Sequence, residues 1–116
     1  MSPLLAQALD EARALNAARG WRLPTDATLA EAERLLVLVG RQWRAPTTVQ
    51  AEPDGGITLE WDAGEHGWLQ LAVQGTGKLT HSAVIEGDEY AKAEDFGEQL
   101  PDWAQAVLGK LLLVGH

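Results

Sequence analysis

The chain has 116 residues, 46% of them apolar and 22% charged, the size and balance of one globular domain that needs no cross-link to fold. It contains no cysteine, which excludes disulfides, thiolate nucleophiles and Cys-based zinc sites. The net charge of −8 comes from the second part, where three lysines oppose twelve carboxylates from Ala45 onward, a sign that repels phosphate backbones and anionic lipid.

Ser2-Pro3 reads as an N-cap with proline at the first helical position. Leu5, Leu9, Ala12 and Leu15 follow at helical spacing, and Gly20 stops the helix. This helix is rich in alanine and short of bulk, so it is expected to pack weakly or against a partner. Trp21-Arg22-Leu23-Pro24 is a connection. A second helix begins near Thr25 or Thr28, the latter forming a capping-box spacing with Glu31. Its buried stripe is Leu29, Ala32, Leu35, Leu36 and Val39, with Glu31, Glu33 and Arg34 outward. It ends at Gly40 or Trp43, before Pro46.

From Thr47 the period drops to two. Thr47 to Glu52 is a strand, and Pro53-Asp54-Gly55-Gly56 is a turn in which proline and glycine preset the dihedrals. Ile57, Leu59 and Trp61 face one way along the next strand. Leu69, Leu71 and Val73 do so along a third, with Trp68, Gln70, Ala72 and Gln74 opposite. After Gly75-Thr76-Gly77, Leu79, His81, Ala83 and Ile85 alternate with Thr80, Ser82 and Val84. Short loops make these four strands an antiparallel meander. Gly87 to Gln99 is acidic and reads as a surface loop pinned by Tyr90 and Phe96. Leu100-Pro101-Asp102 opens a last helix with Trp103, Val107, Leu108 and Leu111 inward.

The fold class is therefore α+β, one domain over residues 1–116. Two N-terminal helices lead into a four-stranded meander, an acidic loop and a C-terminal helix packed on the sheet. Residues 1–20 stand as a peripheral or dimerising helix, and 21–116 as the α-β4-α core.

No motif carries chemistry. Gly75-Thr76-Gly77-Lys78 looks like a phosphate loop, but Leu79 follows the lysine where Ser or Thr is needed, and no helix stands behind the turn. His66 and His81 are the internal histidines and His116 ends the chain, with no HxH or HxxxH pair for a metal. His81, beside Leu79 and Ile85, reads as a core-edge histidine. Glu86, Asp88, Glu89, Glu94 and Asp95 cluster without an apolar pocket that would raise a carboxyl pKa. Neither Ser2 nor Ser82 sits in a nucleophile elbow. The expectation is a protein without enzymatic activity, cofactor or metal.

Five tryptophans stand against one Tyr and one Phe. Trp61 and Trp103 fit core positions; Trp21, Trp43 and Trp68 do not. With Arg41 and Arg44 beside Trp43, these form the candidate interaction surface, since Trp and Arg are enriched at binding hot spots.

The run Pro46 to Trp61, with Glu52-Pro53-Asp54-Gly55-Gly56-Ile57 and Leu59-Glu60-Trp61, resembles a family of small uncharacterised bacterial proteins that repeat proline, a short strand and a PDGG-apolar-x-LEW hairpin. Gly20-Trp21 through Leu36 and Leu100-Pro101 are similar to segments of that family before and after the hairpin. The resemblance implies the fold and no activity.

The functional expectation is a non-catalytic interaction or regulatory module, homodimeric through the second face of the meander. Its rivals are an acidic adaptor, chaperone-like or immunity-like, on a basic protein, and a small-ligand binder or enzyme with a pocket between sheet and helices. Neither nucleic acid nor membrane is an expected partner. Met1-Ser2-Pro3-Leu4-Leu5 lacks the pattern of a secretion signal and Leu111 to Val114 is too short to span a bilayer, so the expected location is the cytoplasm.

Overall fold

The computed structural model describes residues 1–114. Helices α1 (Pro3–Arg19) and α2 (Asp26–Gly40) precede five strands, β1 (Thr48–Ala51), β2 (Ile57–Asp62), β3 (Gly67–Val73), β4 (Lys78–Ile85) and β5 (Asp88–Asp95), and helix α3 (Asp102–Val114) follows. All five strands form one antiparallel sheet in the order β1-β2-β3-β4-β5. No helix among the described residues is long and apolar enough to cross a membrane.

Capping starts both early helices. The Ser2 hydroxyl accepts from the Leu5 amide at 3.1 Å, ahead of Pro3 at the first helical position. Helix α1 ends where Gly20 takes the left-handed conformation and donates to the Asn16 carbonyl. In α2 the cap is Thr25, whose hydroxyl accepts from the Thr28 amide at 3.1 Å. Thr28 thus lies inside the helix, and the capping box with Glu31 does not form. Glu31 is buried instead of facing outward.

The inward rows of the sheet set the core. Across the strands run Val49–Leu59–Leu71–His81–Lys92 and Ala51–Ile57–Val73–Leu79–Glu94, with Trp61–Leu69–Ala83–Tyr90 beside them. The middle of each row is fully buried against Leu35 and Val39 of α2 and Leu108 and Leu111 of α3. Burying each such side chain stabilises the fold by roughly 1.5–3 kcal/mol. Trp61 is the largest of them, and its indole N–H finds the Arg44 carbonyl at 3.0 Å. Helix α1 joins the same core through Leu5 and Ala8 and packs on β1. Besides Leu5, its buried residues are the small Ala8 and Ala12, while Leu9 and Leu15 are half-buried.

Two further expectations need correction. The sheet has five strands, not four: Asp88–Asp95, read as part of an acidic loop, is a full edge strand with eight residue pairs to β4. Charged residues stand on both of its faces, mixed with Tyr90 on one and Ala91 and Ala93 on the other, so no apolar alternation marks it. The turn before it consists of Glu86 (φ 50°) and Gly87 (φ 85°), the two positive dihedrals that suit a tight hairpin. Trp103 is not a core residue either. It lies at the rim of α3, 41% exposed, and α3 buries Ala104, Val107, Leu108 and Leu111.

Candidate functional site

Of the candidate interaction residues, Trp43 is half-buried and packs against the core, with exposed Arg41 and Arg44 beside it. Trp21 is half-buried with Leu15 and Glu11 of α1 against Gln50, Ala51 and Glu52 of the β1 edge. Trp68 points from β3 to the opposite face of the sheet, cross-strand from Asp62 and Val84. Trp68 thus lies on the opposite face of the sheet from the core that Trp43 packs against, while Trp21 stands at the β1 edge beside Gln50, a residue of the same face as Trp68.

The core-facing side chains of the sheet meet all three helices, and among the described residues no helix packs on the opposite face. That face is ordered in cross-strand rows. Thr48–Glu60–Gln70–Ser82–Ala91 and Gln50–Thr58–Ala72–Thr80–Ala93 form its centre. Glu60 is the one ionisable group in these two rows, and it accepts from the Gln70 amide at 3.1 Å. The next row, Asp62–Trp68–Val84–Glu89, carries its apolar pair in the middle and its charges at the ends. Trp68, Ser82, Val84, Glu89 and Ala91 line a shallow depression there. Open sheets commonly show charged residues on the wet face; this one is small and mainly neutral at its centre.

On the helix side, the rim next to β5 holds His81 and Glu94. His81 is 1% exposed, and neither ring nitrogen has a well-formed hydrogen bond. The nearest partner, a buried carboxylate oxygen of Glu94, lies 3.5 Å from Nε2, long for a hydrogen bond. Burial lowers the His81 pKa. The Glu94 charge and its contact with the ring oppose that shift, and the Lys92 charge adds to it. Trp103 of α3 lies over this corner, its ring centroid 6.5 Å from that of His81 and 5.1 Å from the Lys92 ammonium. Farther along, Lys110 sits over Tyr90 and Arg34 over Phe96. Among the described residues no three His, Asp or Glu side chains group to hold a metal ion, and His116 lies outside them.

The glycine turn that looks like a phosphate loop does bind an anion, and the anion is internal. The Gly75 and Gly77 amides donate to the two Glu31 carboxylate oxygens at 2.9 and 2.8 Å. Gly75 has φ 78°, and a Cβ there would come within 2.8 Å of the Thr28 hydroxyl. The turn thus docks on the first turn of α2 and is filled by its own carboxylate. Spacing alone assigns Glu31 to the wet side of the helix; its one available signal is the glycine pair, whose partner lies 44 residues away from Gly75.

Comparison with family models, with curated proteins and with solved structures gives no match for this chain.

Proposed function

We propose that the chain is a non-catalytic interaction module that self-associates through the open face of its sheet. The observation that carries the reading is the pattern of that face: two central rows of small and amide side chains, bordered by the Trp68–Val84 pair, with no helix over them. Thr58, Gln70, Ala72, Ser82 and Val84 are buried or half-buried within the sheet itself, so a flat second layer adds little ordering cost. Trp68 supplies the kind of anchor that dominates interface energetics.

The charge of −8 per chain opposes association at long range. Salt screens that repulsion, so the dimer is favoured by raising ionic strength. Light scattering across a dilution series, at low and high salt, tests the reading. A mass that stays that of one chain at every concentration and both salts overturns it.

A further inference from the structure

Strand β5 is the outer strand on its side of the sheet and pairs only with β4. The Phe96 amide, next in line, donates inward to the Gly77 carbonyl at 2.8 Å. Backbone groups alternate along a strand, so those of Tyr90, Lys92 and Glu94 bond β4. The amides and carbonyls of Glu89, Ala91, Ala93 and Asp95 turn outward. Ala91 and Ala93 are exposed and have no bulk to shield that edge.

Edge strands are usually closed by proline, a bulge, shortness or charge. β5 contains no proline, keeps register over eight pairs and is as long as β4. Charge alone guards it. Six carboxylates stand against one lysine between Glu86 and Glu98, and Glu86, Asp88, Glu89, Asp95 and Glu98 are exposed. Lys92 is engaged over Trp103, Lys78 pairs with Asp95, and His66 meets Glu86.

This guard is selective. In the antiparallel pairing of two β5 edges that overlaps their outward-bonding stretch from Glu89 to Asp95, Glu89 opposes Asp95 and Lys92 opposes its own copy, and like charges directly opposite are destabilising. A strand rich in lysine or arginine meets the reverse situation: open backbone groups flanked by carboxylates in excess.

We propose that the outer edge of β5 accepts an extended basic segment of a partner protein as a sixth strand. The backbone of Glu89, Ala91, Ala93 and Asp95 supplies the pairing. The carboxylates from Glu86 to Glu98 supply the attraction and the bias against acidic strands. The surface is separate from the open sheet face, so failure of self-association leaves it standing.

The test uses the wild-type protein, dilute and at low salt, with a short synthetic peptide of alternating lysine and threonine. A second peptide has the same sequence but N-methyl groups on alternate residues, which keep the charge and remove strand pairing. Hydrogen exchange at the Ala91 and Ala93 amides and a binding isotherm are read together. The expected result is at least tenfold slower exchange at both amides with the first peptide, and at least tenfold weaker binding of the methylated one. Added salt weakens binding of the first peptide. Equal affinity for both peptides would mean attraction by charge without a sixth strand and overturns the proposal. No binding of either overturns it as well, and leaves the carboxylates only the role of keeping the edge from pairing. An Ala91→Pro variant, which removes an outward amide and no bond to β4, is expected to keep the wild-type circular dichroism spectrum and lose the same binding, and undiminished binding by the folded variant would overturn the proposal.

Discussion

Trp68 and Val84 face each other across β3 and β4 on the side of the sheet that no helix covers. On the other side of the same two strands, Leu69 faces Ala83 and Leu71 faces His81 inside the core. One pair of strands thus serves a dry face and an open one, and the open one retains its large apolar side chain where solvation alone would favour a polar residue. That contrast is the ground for reading the face as an interface.

The Glu31 latch is expected to be a large contributor to stability. Replacing Glu31 with Ala leaves the inward amides of Gly75 and Gly77 without their acceptors. The expected loss is about 1.5–3 kcal/mol, the range of hydrogen bonds to a charged acceptor, because water can reach the part-buried amides once the carboxylate is gone. Urea unfolding measures it. Because the latch ties α2 to the β3–β4 turn, the variant should also exchange the Gly75 and Gly77 amides faster than the wild type.

Gly75→Ala tests the same junction from the other side. The residue combines φ 78° with a Cβ position 2.8 Å from the Thr28 hydroxyl, so strain and crowding add. A loss of about 1–3 kcal/mol is expected. At the neighbouring Gly77 a methyl group would stand in open space, and Gly77→Ala, which bears only the strain of φ 76°, should cost less in the same assay.

His81 makes stability depend on pH. Its pKa is lowered in the folded state, so below the ordinary histidine value of about 6.5 the unfolded chain binds more protons than the native one at this site. Its contribution is complete above that value and is lost as the pH falls through the folded pKa. Urea unfolding from about pH 7.5 down to about pH 5, a range that brackets the ordinary histidine value, should show this decline in the wild type. In His81→Leu, whose side chain suits a neighbourhood of Leu71, Leu79 and Ala83, the part of the decline owed to this group should vanish.

Much of the fold is legible in the residues because each local signal agrees with the tertiary arrangement. Ser2-Pro3 and Gly20 mark α1, and the alternation of Ile57, Leu59 and Trp61 marks β2, since each of those side chains meets a helix layer. Strand β5 is invisible for the opposite reason: at the rim its inward residues Tyr90, Lys92 and Glu94 meet α3 only at its edge, so burial imposes no apolar pattern. Trp103 misleads similarly. At about 100° per residue it stands about 40° from Val107 but about 140° from Leu108, at the flank of the buried stripe, and its indole lies against the Lys92 ammonium at the rim. Glu31 is hidden because its partners lie on a distant turn. Trp68 is legible as a residue off the core face, whereas the neutral rows around it emerge only once strand register is known.

The most direct measurement of the central claim is the solution mass of the wild-type chain and of Val84→Glu, side by side at equal concentration and high salt. Val84 lies on the open face, so the substitution should leave the core and the circular dichroism spectrum unchanged. The wild type is expected to be a dimer and the variant a monomer. A wild-type monomer, or a dimer that Val84→Glu leaves intact, would contradict the claim.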